Sequence, residues 1–158
     1  MEKIQWKPLL VSLVISLGTG VIGGLLTFDS MKKYEGMYHP PLAPPGWVFP
    51  VVWTILYLLM GIAAYLVYLS DSEEKYSALR IYGVQLLVNM VWPLLFFRFE
   101  AYLLAFTWLI LLWYLIKVTT KQFYQIDKTA GKLMVPYLLW VTFAGYLNLA
   151  IAVYYLFH

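Results

Sequence analysis

Charge falls along this chain in short clusters separated by long apolar runs. Pro8 to Phe28 carries no charged residue, nor does Gly36 to Ser70. Ile81 to Phe97, Ala101 to Ile116 and Leu133 to the last residue are also uncharged. About 20 apolar residues cross a hydrocarbon core as a helix. Inside lipid the backbone must bond to itself, so such runs are helical unless they close into a barrel. A barrel needs segments of roughly ten alternating residues, and Leu9 to Leu17 does not alternate. The pattern predicts an all-α, polytopic membrane protein, a five-helix bundle in one domain covering 1–158. The helices are expected at about 8–28, 47–69, 79–97, 101–118 and 132–157. Arg98-Phe99-Glu100 reads as a tight turn between two short helices, with Arg80, Arg98 and Lys117 reaching to the interfaces.

Composition sharpens this reading. Of 158 residues, 63% are hydrophobic and 12% charged, too few charges to cover a soluble surface. The first apolar run follows Lys3 and Lys7 but is too long for a signal core and lacks a small-x-small cleavage site, so a retained helix is expected. Five spans put the N-terminus, the second connection and the fourth on one side, with Lys3, Lys7, Lys75, Arg80, Lys117, Lys121, Lys128 and Lys132. The opposite side has Lys32, Lys33 and Arg98. That asymmetry predicts a cytoplasmic N-terminus in a bacterial plasma membrane. The net charge of +3 includes no basic run, so nucleic acid is not an expected partner.

The candidate chemistry is sparse. There is no cysteine, so thiolate metal sites and thiol nucleophiles are excluded. No Asp, Glu, Lys or Arg lies mid-span, which leaves an ion-coupled pump without a titrating group. His39 and His158 have no partner at metal-ligand spacing, and no metal site is expected. Three polar or aromatic faces remain: Trp53, Tyr57, Gly61 and Ala64; Gln85, Asn89 and Trp92; and Trp140, Ala144 and Asn148. Amides are costly in hydrocarbon unless bonded, so these faces should point inward. They tie helices together, or they line a cavity for a flat apolar molecule. Trp6, Trp47 and Trp113 read as interface anchors. Ser12, Ser16, Gly20 and Gly24 put small residues on one face of the first helix, for packing within the bundle or in a homodimer. The loop 29–46, stiffened by Pro40, Pro41, Pro44 and Pro45, can fold over the bundle mouth as a lid.

The run Pro40-Pro41-Leu42-Ala43-Pro44-Pro45-Gly46-Trp47-Val48-Phe49-Pro50-Val51-Val52-Trp53 resembles the signature of the TspO/MBR family, the tryptophan-rich sensory proteins and the mitochondrial translocator protein. Asn89 to Phe97 and Pro136 to Asn148 resemble that family's third- and fifth-helix segments. The resemblance implies a pocket beneath the first loop that binds porphyrins such as protoporphyrin IX, sterol-like lipids and benzodiazepine-type drugs. It places Trp53, Asn89, Trp140 and Ala144 in the lining, with Pro44 and Tyr34 in the lid. Some members are reported to degrade protoporphyrin in light, and Trp53 and Trp140 stand at the positions assigned that role. The chain departs from the animal sterol motif, because no cation follows Tyr154 and Tyr155. Leu112 to Lys117 fits only the loose form of that motif. The leading expectation is a membrane sensor or receptor with porphyrin as ligand and no obligatory cofactor. Its rivals are a porphyrin-degrading enzyme and a passive carrier of porphyrin or lipid.

Overall fold

The computed structural model describes residues 3–158. Among them it contains six α-helices, of which five are long and apolar enough to cross a membrane. We label them α1 (Trp6–Thr27), α2 (Met31–Gly36), α3 (Val48–Leu69), α4 (Lys75–Pro93), α5 (Tyr102–Ile126) and α6 (Lys128–Phe157). The spans are α1, α3, α4, α5 and α6. Around the bundle α1 packs on α3, α3 on α6, α6 on α5 and α5 on α4, which returns to α1.

The helices outrun their uncharged stretches. The α4 helix starts at Lys75 and α5 continues to Ile126, past the expected end near 118. Charge loss marks where lipid begins, but a helix can protrude into water on its own hydrogen bonds. Hence α4 and α5 are full-length spans rather than short ones. Trp113 consequently sits well inside α5, where its Nε1 donates to Thr142 Oγ1 of α6 at 2.8 Å. It joins two helices instead of anchoring an interface. Trp6 and Trp47, at helix ends, are exposed as an interface role requires. The break between α5 and α6 is a single extended residue, Asp127, whose carboxylate accepts from the Ala130 N–H at 3.0 Å. That bond satisfies one orphan donor of the new helix.

The expected turn at Arg98-Phe99-Glu100 begins earlier than the charges do. Beyond Pro93, Leu94–Arg98 widens into a π turn, and the Phe99 N–H bonds the Leu94 carbonyl at 2.9 Å. Glu100 then takes φ 52°, which ends the helix. The wider turn turns both Phe96 and Phe97 into the interior.

Close approach of α1 and α3 rests on small residues. Ser12 Oγ donates to the Gly61 carbonyl at 2.7 Å. A Cβ on Gly61 would stand 2.7 Å from Ser16 Oγ and 3.3 Å from the Leu13 Cα, and one on Gly20 would stand 2.6 Å from the Tyr57 ring. The small-residue face is therefore spent on α3 as far as Gly20, while a Cβ on Gly24 would meet nothing within 4 Å. Gly61→Val should cost about 1–3 kcal/mol of stability, because backbone cannot yield as a side chain does. Gly24→Val should leave the melting temperature in detergent unchanged. Equal melting of the two variants would sink this packing account.

Candidate ligand site under the first loop

The loop between α1 and α3 is built by side chains that satisfy its carbonyls. Proline removes donors from this segment, and three tyrosines supply them or accept in turn. Tyr34 Oη donates to the Pro44 carbonyl at 2.7 Å, and Tyr146 Oη of α6 donates to the Pro41 carbonyl at 2.7 Å. The Tyr38 N–H donates to Tyr155 Oη at 3.0 Å, and Tyr38 stacks on Tyr154 with centroids 3.9 Å apart. An exposed pair, Lys33 and Glu100, bridges α2 to the α4–α5 connection at 3.3 Å, and screening leaves it little weight. Burial pushes the Tyr34 phenol above its usual range, so it keeps its proton, and its donor role, throughout the physiological range. Tyr34→Phe should accelerate amide exchange across residues 41–47 by about fivefold, the worth of one hydrogen bond of about 1 kcal/mol. Unchanged exchange there would show that this tether does not hold the loop.

Beneath the loop lies an aromatic box. Tyr34 meets Phe49 edge-on at 5.0 Å and Phe97 at 6.2 Å. Phe49 in turn meets Trp140 at 6.0 Å. Phe49 and Trp53 lie one turn apart on α3, and Tyr137, Trp140 and Ala144 follow one another along one side of α6. The box encloses a cavity of only about 10 Å³, bordered by Tyr34, Phe49, Trp92, Phe97 and Ala144 among others. That is room for one water at most.

One turn deeper, a polar chain crosses three helices. Tyr57 Oη of α3 donates to Asn89 Oδ1 of α4 at 2.6 Å, and Asn89 Nδ2 donates to Tyr137 Oη of α6 at 2.6 Å. Tyr137 Oη donates onward to Gln85 Oε1 at 2.6 Å. A second tie runs from Trp92 Nε1 to Asn148 Oδ1 at 3.0 Å, and from Asn148 Nδ2 to the Tyr102 carbonyl at 2.9 Å. Both amides are thus bonded at each end, which is how a span tolerates them.

The sequence-predicted residues occupy different places around this box. Tyr34 and Ala144 line the hollow, and Pro44 holds Tyr34 over it. Trp140 flanks it through Phe49. Trp53 is set lower, edge-on to Tyr137 at 6.0 Å and tilted against Tyr57 at 5.7 Å. Asn89 belongs to the polar chain and does not border the hollow. The two indoles are linked through neighbours and do not stack on each other.

One atom here is unsatisfied. Trp140 is half-buried as a residue, yet its Nε1 is sealed from solvent and has no hydrogen-bond partner among the described residues. Helical spacing puts Tyr57 on the inward face with Trp53, but the sequence reading singles out neither Phe49 nor Tyr137. Phe49 lies one turn before Trp53, so that spacing was the available signal. Tyr137 stood in the quoted helix-5 run without any mark separating it from the exposed Val135 and Leu139.

Five spanning helices, with an aromatic box capped by a proline-rich strap, define an integral membrane protein. The chain belongs to the TspO/MBR family, whose model matches residues 10–154. It is 36% identical over 145 residues to the "Tryptophan-rich sensory protein" of Cereibacter sphaeroides, covering 92% of this chain and 89% of that one. It is 38% identical to the "Tryptophan-rich protein TspO" of Chlorobaculum tepidum over 93% of this chain and 95% of that one. The human "Translocator protein" is 33% identical over 90% of this chain and 87% of its own.

Proposed function

We propose that this protein is a membrane sensor that binds a planar, largely apolar tetrapyrrole such as protoporphyrin IX under the strap between α3 and α6. The observation that carries the reading is the unpaired indole N–H of Trp140 beside the aromatic box. A donor buried without a partner costs stability of about 1–3 kcal/mol. A ligand acceptor at that position recovers it. Sites for molecules of this size occupy about 300–1,000 Å³, whereas this hollow holds about 10 Å³. The aromatic box is therefore closed around the hollow. Binding requires Tyr34 and Phe49 to withdraw with the strap, which is held mainly by single hydrogen bonds and one ring stack. Membership in a family that includes a "Tryptophan-rich sensory protein" supports a sensing role. Sterol-like lipids and benzodiazepine-type drugs share the apolar, ring-shaped character that this box accepts.

The test is a titration of the purified protein with protoporphyrin IX, first in the dark and then in light. Saturable quenching of tryptophan fluorescence at one site per chain is expected in the dark. Quenching no different from protein-free micelles would overturn the reading. In light, loss of porphyrin absorbance that depends on Trp53 and Trp140 would turn the sensor reading into an enzymatic one.

We place the N-terminus in the cytoplasm of a bacterial plasma membrane, because the basic residues favour the side of the α3–α4 and α5–α6 connections. With no native cysteine, single labels report the orientation. Glu35→Cys should react with an impermeant maleimide in intact cells, and Ser72→Cys should react only after lysis. The reverse pattern would invert the assignment.

A further inference from the structure

A much larger space opens on the opposite end of the bundle. There a groove of about 620 Å³ runs between the start of α1, the end of α3 and the start of α4. Its walls are chiefly aliphatic, with Val11, Ile15, Ala64, Leu79 and Leu86 among them. Lys7 is among the residues that line it, and no carboxylate among the described residues does. A second cation sits beside the groove: Lys75 donates to the Tyr68 carbonyl at 3.0 Å and lies 5.3 Å from the Tyr68 ring centroid, and Tyr68 is itself part of the wall. Tyr82 lies on the inner wall, its hydroxyl sealed within the protein.

We infer that this groove is a binding site for an anionic phospholipid, with one acyl chain between α1 and α4 and its phosphate at Lys7. The argument is charge complementarity at the depth where headgroups lie. Pro8 to Phe28 is the first uncharged run, so Lys7 marks the interface, where an ammonium near an anionic headgroup is favourable. Basic pockets between spanning helices recognise such headgroups, and the floor here offers apolar walls to a chain rather than to water. The site is independent of the strap-side box: it uses α1 and α4 at the other membrane face and shares no lining residue with it.

The experiment is native mass spectrometry of the full chain purified from nanodiscs of mixed phosphatidylglycerol and phosphatidylcholine. One retained phosphatidylglycerol per chain is expected, preferred over phosphatidylcholine by about fivefold, the worth of one lysine beside an anionic headgroup. Lys7→Gln should abolish that preference. Gly83→Leu should fill the groove and remove the bound lipid, and it tests occupancy without threatening the fold, because a Cβ there meets nothing within 4 Å. Lys128→Gln, at the same face but outside the groove, should change neither. Equal retention of the two lipids by the unaltered protein, undiminished lipid on Gly83→Leu, or a retained free fatty acid instead of a phospholipid would each overturn the assignment.

Discussion

Asn89→Leu lowers the stability of the bundle by about 2 kcal/mol, more than an average interhelical hydrogen bond in a membrane of about 0.6 kcal/mol. The excess comes from what the change leaves behind. Tyr57 loses its acceptor and Tyr137 loses the donor it receives from Asn89, while both tyrosines stay buried. A hydroxyl orphaned where water cannot reach carries its full desolvation cost, about 1–3 kcal/mol. Tyr57→Phe removes one bond but also the group that would be orphaned, so it costs about 1 kcal/mol or less. The two changes should then be strongly non-additive: in Asn89→Leu/Tyr57→Phe the second substitution relieves much of the cost of the first. Thermal or denaturant unfolding of the four proteins in one detergent supplies the cycle. Additive losses would mean that the chain from α3 to α6 is not an energetic unit.

Trp140→Ala weakens protoporphyrin IX binding by about 30-fold, or about 2 kcal/mol. The indole offers two things: a ring that already packs against Phe49 and Phe143, and a sealed, unpaired N–H. Trp140→Phe separates them. It keeps an aromatic face and deletes the donor, so it should weaken binding by about fivefold, the worth of one hydrogen bond. Trp6→Phe is the matched control, because Trp6 lies at the far end of α1 and is 64% exposed. It should leave the dissociation constant unaltered. Quenching titrations in the dark distinguish the three variants. Identical affinities for Trp140→Ala and Trp6→Phe would remove Trp140 from the site, and with it the main support for a ligand under the strap.

These two predictions divide the residues that the sequence grouped together. Read by helical spacing, Asn89, Trp53 and Trp140 form one inward-facing set. In the fold, Asn89 is committed at both ends of its amide to tyrosines, whereas Trp140 retains an unused donor. The two therefore differ in what they have left to offer a ligand. Spacing reports which face of a helix is buried. It does not report which buried group finds a partner on another helix.

The sequence by itself determined the five spans and their inward faces, because charge is excluded from lipid and amides must be hidden from it. The proline strap and the lack of any mid-span titrating group were equally legible, since they depend on residue type alone. Helix ends were less so: Thr119 to Ile126 is polar yet helical, because a helix leaving the membrane keeps its internal bonds and only its solvent changes. The tertiary structure alone decided the pairing of hydroxyls with amides, the closure of the hollow under Tyr34 and Phe49, and the groove between α1, α3 and α4. Each of these depends on distances between helices. Such distances are set by side-chain volumes meeting across an interface, Gly61 against Ser16 for one, and no pattern along a single helix encodes them.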